Sequence, residues 1–144
     1  MPTAATHGDP DMLRTTILLA GLALPAAAQQ ADEPVDPADF LAAVEGQTVR
    51  YDDPENPGRV DFERFLGQGR VRYIWYDGTC HEGEVFVKEG QLCFAYETIE
   101  GAPSCWRTVI RDGDLALVGA ADGTVGIVAL LGDQPLQCST APSV

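Results

Sequence analysis

Basic side chains are scarce in this chain. Nine Lys and Arg stand against 22 Asp and Glu, a formal net charge of −13 over 144 residues. A nucleic-acid backbone or an anionic membrane surface repels such a chain, so both are set aside as partners. Histidine is scarcer still: of two, only His81 lies beyond the amino-terminal segment. No Ser-His-Asp choice exists beyond it, and no Gly-x-Ser-x-Gly elbow is present. The carboxylates are many, but their spacing singles out no acid–base pair. Long hydrophobic runs are missing too, since Ile17 to Leu24 falls well short of the about 20 residues a membrane-spanning helix takes. These absences point away from an enzyme, and no cofactor or metal is expected.

What is present is turn chemistry and cysteine. Fifteen glycines and ten prolines suit short strands joined by tight turns. From Gln47 onward the apolar pattern has a period of two. Strands are expected at 47–52, 59–65, 70–77, 84–89, 91–97, 105–111, 114–119 and 124–131. They are separated by turn-formers such as Asp77-Gly78, Glu89-Gly90, Asp112-Gly113 and Asp122-Gly123. The fold class that follows is mainly β, an up-and-down antiparallel meander of about eight strands forming a closed or partly open barrel. One short helix precedes it, with Asp36 as cap, Pro37 at the first position, Phe40, Leu41 and Val44 on one face and Gly46 as the stop.

The amino terminus reads as an address. Met12-Leu13-Arg14, the apolar run and the small residues Ala26 and Ala28 match a cleavable secretory signal. The acidic Asp9 and Asp11 fit that signal poorly, which makes Met12 the expected translation start. The domain organisation is then a signal over 1–28, a loose leader over 29–35 and a single domain over 36–144. The expected location is the bacterial periplasm or outside the cell, with no membrane insertion after cleavage.

In an oxidising compartment the cysteines pair by default. Cys93 and Cys105 share strand parity and flank one hairpin, which favours a Cys93–Cys105 bond and leaves Cys80 with Cys138. Metal binding through Cys80-His81 is disfavoured, because adjacent residues on a strand point to opposite faces. His81 itself is placed beside the Asp77-Gly78 turn, with no consequence expected from its loss. The same parity puts Leu92, Phe94, Tyr96, Trp106 and Ile110 inside, Cys93 and Cys105 outside, and Arg107 near Glu97. Val71, Tyr73 and Trp75 share one side of their strand. Aromatic residues at this spacing usually build cores. If the barrel is closed and hollow, Tyr73, Trp75, Phe94, Tyr96 and Trp106 are the residues that line it.

Several runs recur together in a known order: Leu41 to Val49, Asp77-Gly78-Thr79-Cys80 with Gly83, Gly90 to Tyr96, Cys105-Trp106, and Arg111 to Leu115. In these the chain resembles a group of small exported bacterial proteins of unknown function, from about Leu41 to Cys138. Val85 departs from the group, which carries tryptophan there. The resemblance implies one exported β-domain with paired cysteines and implies no activity. Two functions are consistent with these features. One is a non-enzymatic binding module for a small ligand. The other is an acidic inhibitor of a basic secreted hydrolase, such as a lysozyme, steered by charged turns to its basic protein partner. A hollow aromatic interior favours the first, and a filled core with a strongly acidic exposed loop favours the second.

Overall fold

The computed structural model describes residues 31–139. The signal read over residues 1–28, with its start at Met12, lies outside the described residues. The elements are β1 (Glu33–Pro34), α1 (Pro37–Val44), β2 (Thr48–Asp52), β3 (Val60–Gly67), β4 (Arg70–Ile74), β5 (Cys80–Lys88), β6 (Gln91–Tyr96), β7 (Ser104–Arg111), β8 (Asp114–Gly119) and β9 (Val125–Leu130). Each of β2 to β8 pairs antiparallel with the next, and β9 pairs back with β2, which closes an eight-strand up-and-down barrel. Closure leaves the barrel without a free edge.

The two ends of the barrel differ. At one end the hairpins are tight, because Gln68-Gly69, Glu89-Gly90 and Asp112-Gly113 all adopt positive φ. Successive left-handed residues are what two-residue hairpin turns need to match strand twist. Helix α1 lies at this end. The Asp36 side chain accepts a hydrogen bond from the Ala38 N–H at 2.8 Å, and Pro37 opens the helix with its φ already set. Phe40 and Val44 are fully buried against Val49, Phe65, Val71, Val85, Leu92 and Val128. Each contributes roughly 1.5–3 kcal/mol on burial, which is how so short a helix holds its place. The other end carries the longer loops, 53–59, 75–79, 97–103 and 120–124.

Parity along the strands fixes the faces. Val49, Glu63, Tyr73 and His81 are successive register partners across β2 to β5, so they share the interior face. Phe62, Ile74 and Cys80 share the exterior face. The carboxyl-terminal tail returns over that exterior face. It is held by the Cys80–Cys138 disulfide, by the Ser139 N–H donating to Gly78 O at 2.9 Å and by the Thr48 hydroxyl donating to Gln134 O. The second disulfide joins Cys93 and Cys105, which sit directly opposite each other on β6 and β7. Both bonds fit an oxidising compartment. Val109, Ala116, Val118 and Val125 form a separate buried cluster on the exterior face of β7 to β9.

Several sequence expectations need correction. The strand expected over 70–77 ends at Ile74, because Gly78 N–H bonds back to Trp75 O at 2.8 Å and turns the chain there. The strand expected from Glu84 begins at Cys80. Gly83 resembles a strand breaker in sequence, yet it stays in the ladder because its partner Tyr96 needs the space above it. The segment expected to be a loose leader contains β1, with Val35 N–H bonded to Thr108 O at 2.9 Å and Asp32 paired with Arg111 at 2.6 Å. Arg107, expected near Glu97, makes no ion pair with it. Its charge helps hold the Asp32 carboxyl low, behind the larger effect of the Arg111 hydrogen bond.

Candidate functional site

The interior of an eight-strand barrel is just wide enough to fill with side chains or to hold one small ligand. Here the helix end is filled and the end with the longer loops is hollow. The cavity there measures about 520 Å³. Tyr73, Trp75, Phe94, Tyr96 and Trp106, the five aromatics singled out by strand parity, all line it, joined by Tyr51. Asp53, Arg59, Asp122 and Thr124 stand at its mouth with the 99–104 segment.

Glycine makes room for these rings. Gly83 is the cross-strand partner of Tyr96, and a Cβ there would stand 2.7 Å from the ring and 2.4 Å from Ala95 O. Gly119 opposes Trp106, where a Cβ would meet Asp122 Oδ1 at 2.6 Å. Two aromatic residues thus lie against bare backbone, and a side chain at either glycine would collide with the atoms already packed there.

Behind the aromatic wall sits Glu63, 1% exposed. Its Oε1 accepts from the Tyr96 hydroxyl at 2.7 Å and its Oε2 from the Tyr51 hydroxyl at 2.9 Å. Burial pushes its carboxyl up to about 7, against the opposing pull of the two tyrosine hydrogen bonds. Tyr51 and Tyr96 are in turn raised far above the usual phenol range, first by burial and then by the Glu63 charge. Both carboxylate oxygens are taken, so Glu63 orients the tyrosines and presents no free base. Two strand positions earlier, on the same face, Asp61 lines the cavity with a buried Oδ1 that has no hydrogen-bond partner. Burial first, and the Asp61 charge second, raise the neighbouring Tyr73 hydroxyl well beyond its normal range.

His81 follows the 75–79 turn, as its sequence context indicates, but the strand begins before it. It lies in β5 on the interior face and is 8% exposed. Nδ1 is 2.5 Å from the Thr98 hydroxyl, the ring meets Trp75 edge-on with centroids 5.6 Å apart, and Nε2 has no partner. Among the described residues, no three His, Cys, Asp or Glu side chains converge as metal ligands do. The cysteines named from sequence lie in the two disulfides and not in the cavity lining.

Tyr51, Asp61 and Glu63 escaped the sequence reading. The available signal was the alternation of Asp61, Glu63 and Phe65 along one face of β3, opposite Val60 and Phe62. That pattern invites the opposite choice of interior face. No protein-family model, curated protein or solved structure matches the chain.

Proposed function

We propose that the protein is an exported, non-enzymatic binding module that takes one small ligand into the open end of its barrel. The observation that carries this reading is the cavity of about 520 Å³, which falls within the usual size range of small-molecule sites. Its character is also typical of such sites, mostly aromatic with a few converging polar groups. The acidic-inhibitor reading calls for a filled interior, and the hollow end gives it less support. Export accords with the two disulfides and with the secretory pattern at Met12 to Ala28. The likeness to small exported bacterial proteins belongs with the same reading.

The chain has two tryptophans, and both line the cavity. Their fluorescence therefore reports occupancy directly. Fractionated small molecules from the native envelope should quench or shift that emission saturably, with one ligand bound per chain. Replacing Trp106 by alanine should weaken the response while leaving the far-ultraviolet spectrum unchanged. A saturable ligand whose binding ignores Trp106 and Tyr96 substitutions would move the site elsewhere on the protein. No response to any fraction would remove the reading.

A further inference from the structure

We infer that the cavity accepts an organic cation, an amine or quaternary ammonium whose charged head sits among Tyr51, Tyr73 and Tyr96 with Asp61 as its counter-ion. This inference rests on the reading of the cavity as a ligand site, and it comes from what the polar groups there have left to offer. The hydroxyl protons of Tyr51 and Tyr96 are committed to Glu63, so toward the cavity these oxygens present lone pairs only. Asp61 Oδ1 has no partner at hydrogen-bond geometry, and the one hydroxyl close enough to interact with that carboxylate is that of Tyr73, itself part of the proposed cage. The polar complement is therefore a group that donates or carries positive charge. Beside Asp61 and the Tyr51 and Tyr96 oxygens, a carboxylate, phosphate or sulfate head would meet acceptors and negative charge, since Arg59, the one cation of the lining, stands at the mouth.

Ring geometry points the same way. The Tyr73 and Tyr96 centroids are 5.4 Å apart, and Phe94 lies nearly parallel to Tyr96 at 9°. Aromatic faces attract a cation through their quadrupoles, most strongly where water is excluded, and such cages are used to hold quaternary ammonium groups. At the mouth, Asp53 and Asp122 stand against the single cation Arg59. The Arg59 guanidinium lies 5.5 Å over the exposed Tyr76 ring, an interaction on the outside of the rim. The net field at the entrance is negative and draws cations inward.

Choline and benzyltrimethylammonium, titrated into the oxidised protein at pH 8 and followed by tryptophan fluorescence and calorimetry, test this. Their uncharged isosteres 3,3-dimethylbutan-1-ol and neopentylbenzene serve as the comparison. At least one cation should bind about tenfold tighter than its isostere. Asp61→Asn should erase most of that difference without changing the affinity for the isostere or the melting temperature of the free protein. Isosteres that bind as tightly as the cations would overturn the assignment of charge and leave the binding module standing. Equal loss of cation and isostere affinity in Asp61→Asn would also overturn it. If none of the four probes binds, the cation site falls, while the binding-module reading stands or falls separately on the native fractions.

Discussion

Tyr96 lies flat against its cross-strand partner Gly83, and the space a side chain would fill at 83 is occupied by the Tyr96 ring. The same tyrosine donates to buried Glu63 and lines the cavity. One missing side chain on β5 thereby sets the orientation of a carboxylate on β3 and the shape of the open end of the barrel.

Gly83→Ala should accordingly be costly although alanine is small and φ is not positive there. The new Cβ would come 2.4 Å from a backbone oxygen, which cannot swing aside as a flexible side chain can. Overpacking of this kind costs about 1–3 kcal/mol, and displacing Tyr96 leaves Glu63 short of a donor. Denaturant melts should show the loss, and the near-ultraviolet tyrosine signal should change more than in Gly90→Ala, a turn position with open space around it. Identical near-ultraviolet signals would mean that Gly83 does not position Tyr96.

Much of this architecture was legible because it is written in period two. Alternation in 70–76, 91–97 and 105–111 placed Tyr73, Trp75, Phe94, Tyr96 and Trp106 on one face, and the turn dipeptides marked the hairpins. Cys93 and Cys105 were readable as partners because parity and hairpin position agree. The β3 acids were not legible, for a non-local reason. Phe62 and Ile74 look like core residues, and they are sheltered on the exterior only because Cys138 brings the tail across to Cys80. Until that strap is known, Asp61 and Glu63 look like the solvated side of β3. The interior position of His81 was not legible, because Gly83 and the adjoining turn hide the start of β5.

Glu63 gives the protein a specific pH dependence. The groups facing it are the hydroxyls of Tyr51 on β2, Tyr73 on β4 and Tyr96 on β6, with Asp61 on its own strand and His81 on the interior face of β5. Its carboxyl rises from 4.5 to about 7 on folding, so between those values the native state holds a proton that the unfolded chain has released. Stability contributed by this group should fall as pH rises through that window, by about 3 kcal/mol in all. Glu63→Gln should flatten the slope between pH 5 and 8 in urea melts. An unchanged slope would place its origin in another group.

His81→Ala should not be silent. The ring is buried, edge-on to Trp75 and in contact with Thr98 at the base of the 97–103 loop. Removing a buried, packed ring should cost about 1–3 kcal/mol, and Trp75 emission should shift as its neighbour disappears. Hydrogen exchange should quicken in 97–103 ahead of the helix end. A variant with the parent melting temperature and emission would restore the view of His81 as an idle turn neighbour.

The two disulfides should separate stability from binding. Cys80–Cys138 closes a sequence separation of 58 and Cys93–Cys105 one of 12. On the loop-entropy account these contribute about 4 and about 3 kcal/mol respectively. Their places in the fold differ in the opposite sense. The tail held by Cys138 crosses the exterior face, away from the cavity. The Cys93–Cys105 bond staples the two strands that carry the 97–103 loop, whose Ile99, Gly101, Ala102 and Pro103 line the mouth. Replacing Cys80 and Cys138 together by alanine should therefore cause the larger drop in melting temperature and leave ligand affinity near that of the parent. Replacing Cys93 and Cys105 should cost less stability but weaken binding severalfold, because the loop loses its anchor and must be ordered when ligand enters. Calorimetric melts and fluorescence titrations on the two double variants measure both quantities. If the tail variant loses affinity and the hairpin variant keeps it, the site lies under the tail and not in the open end of the barrel.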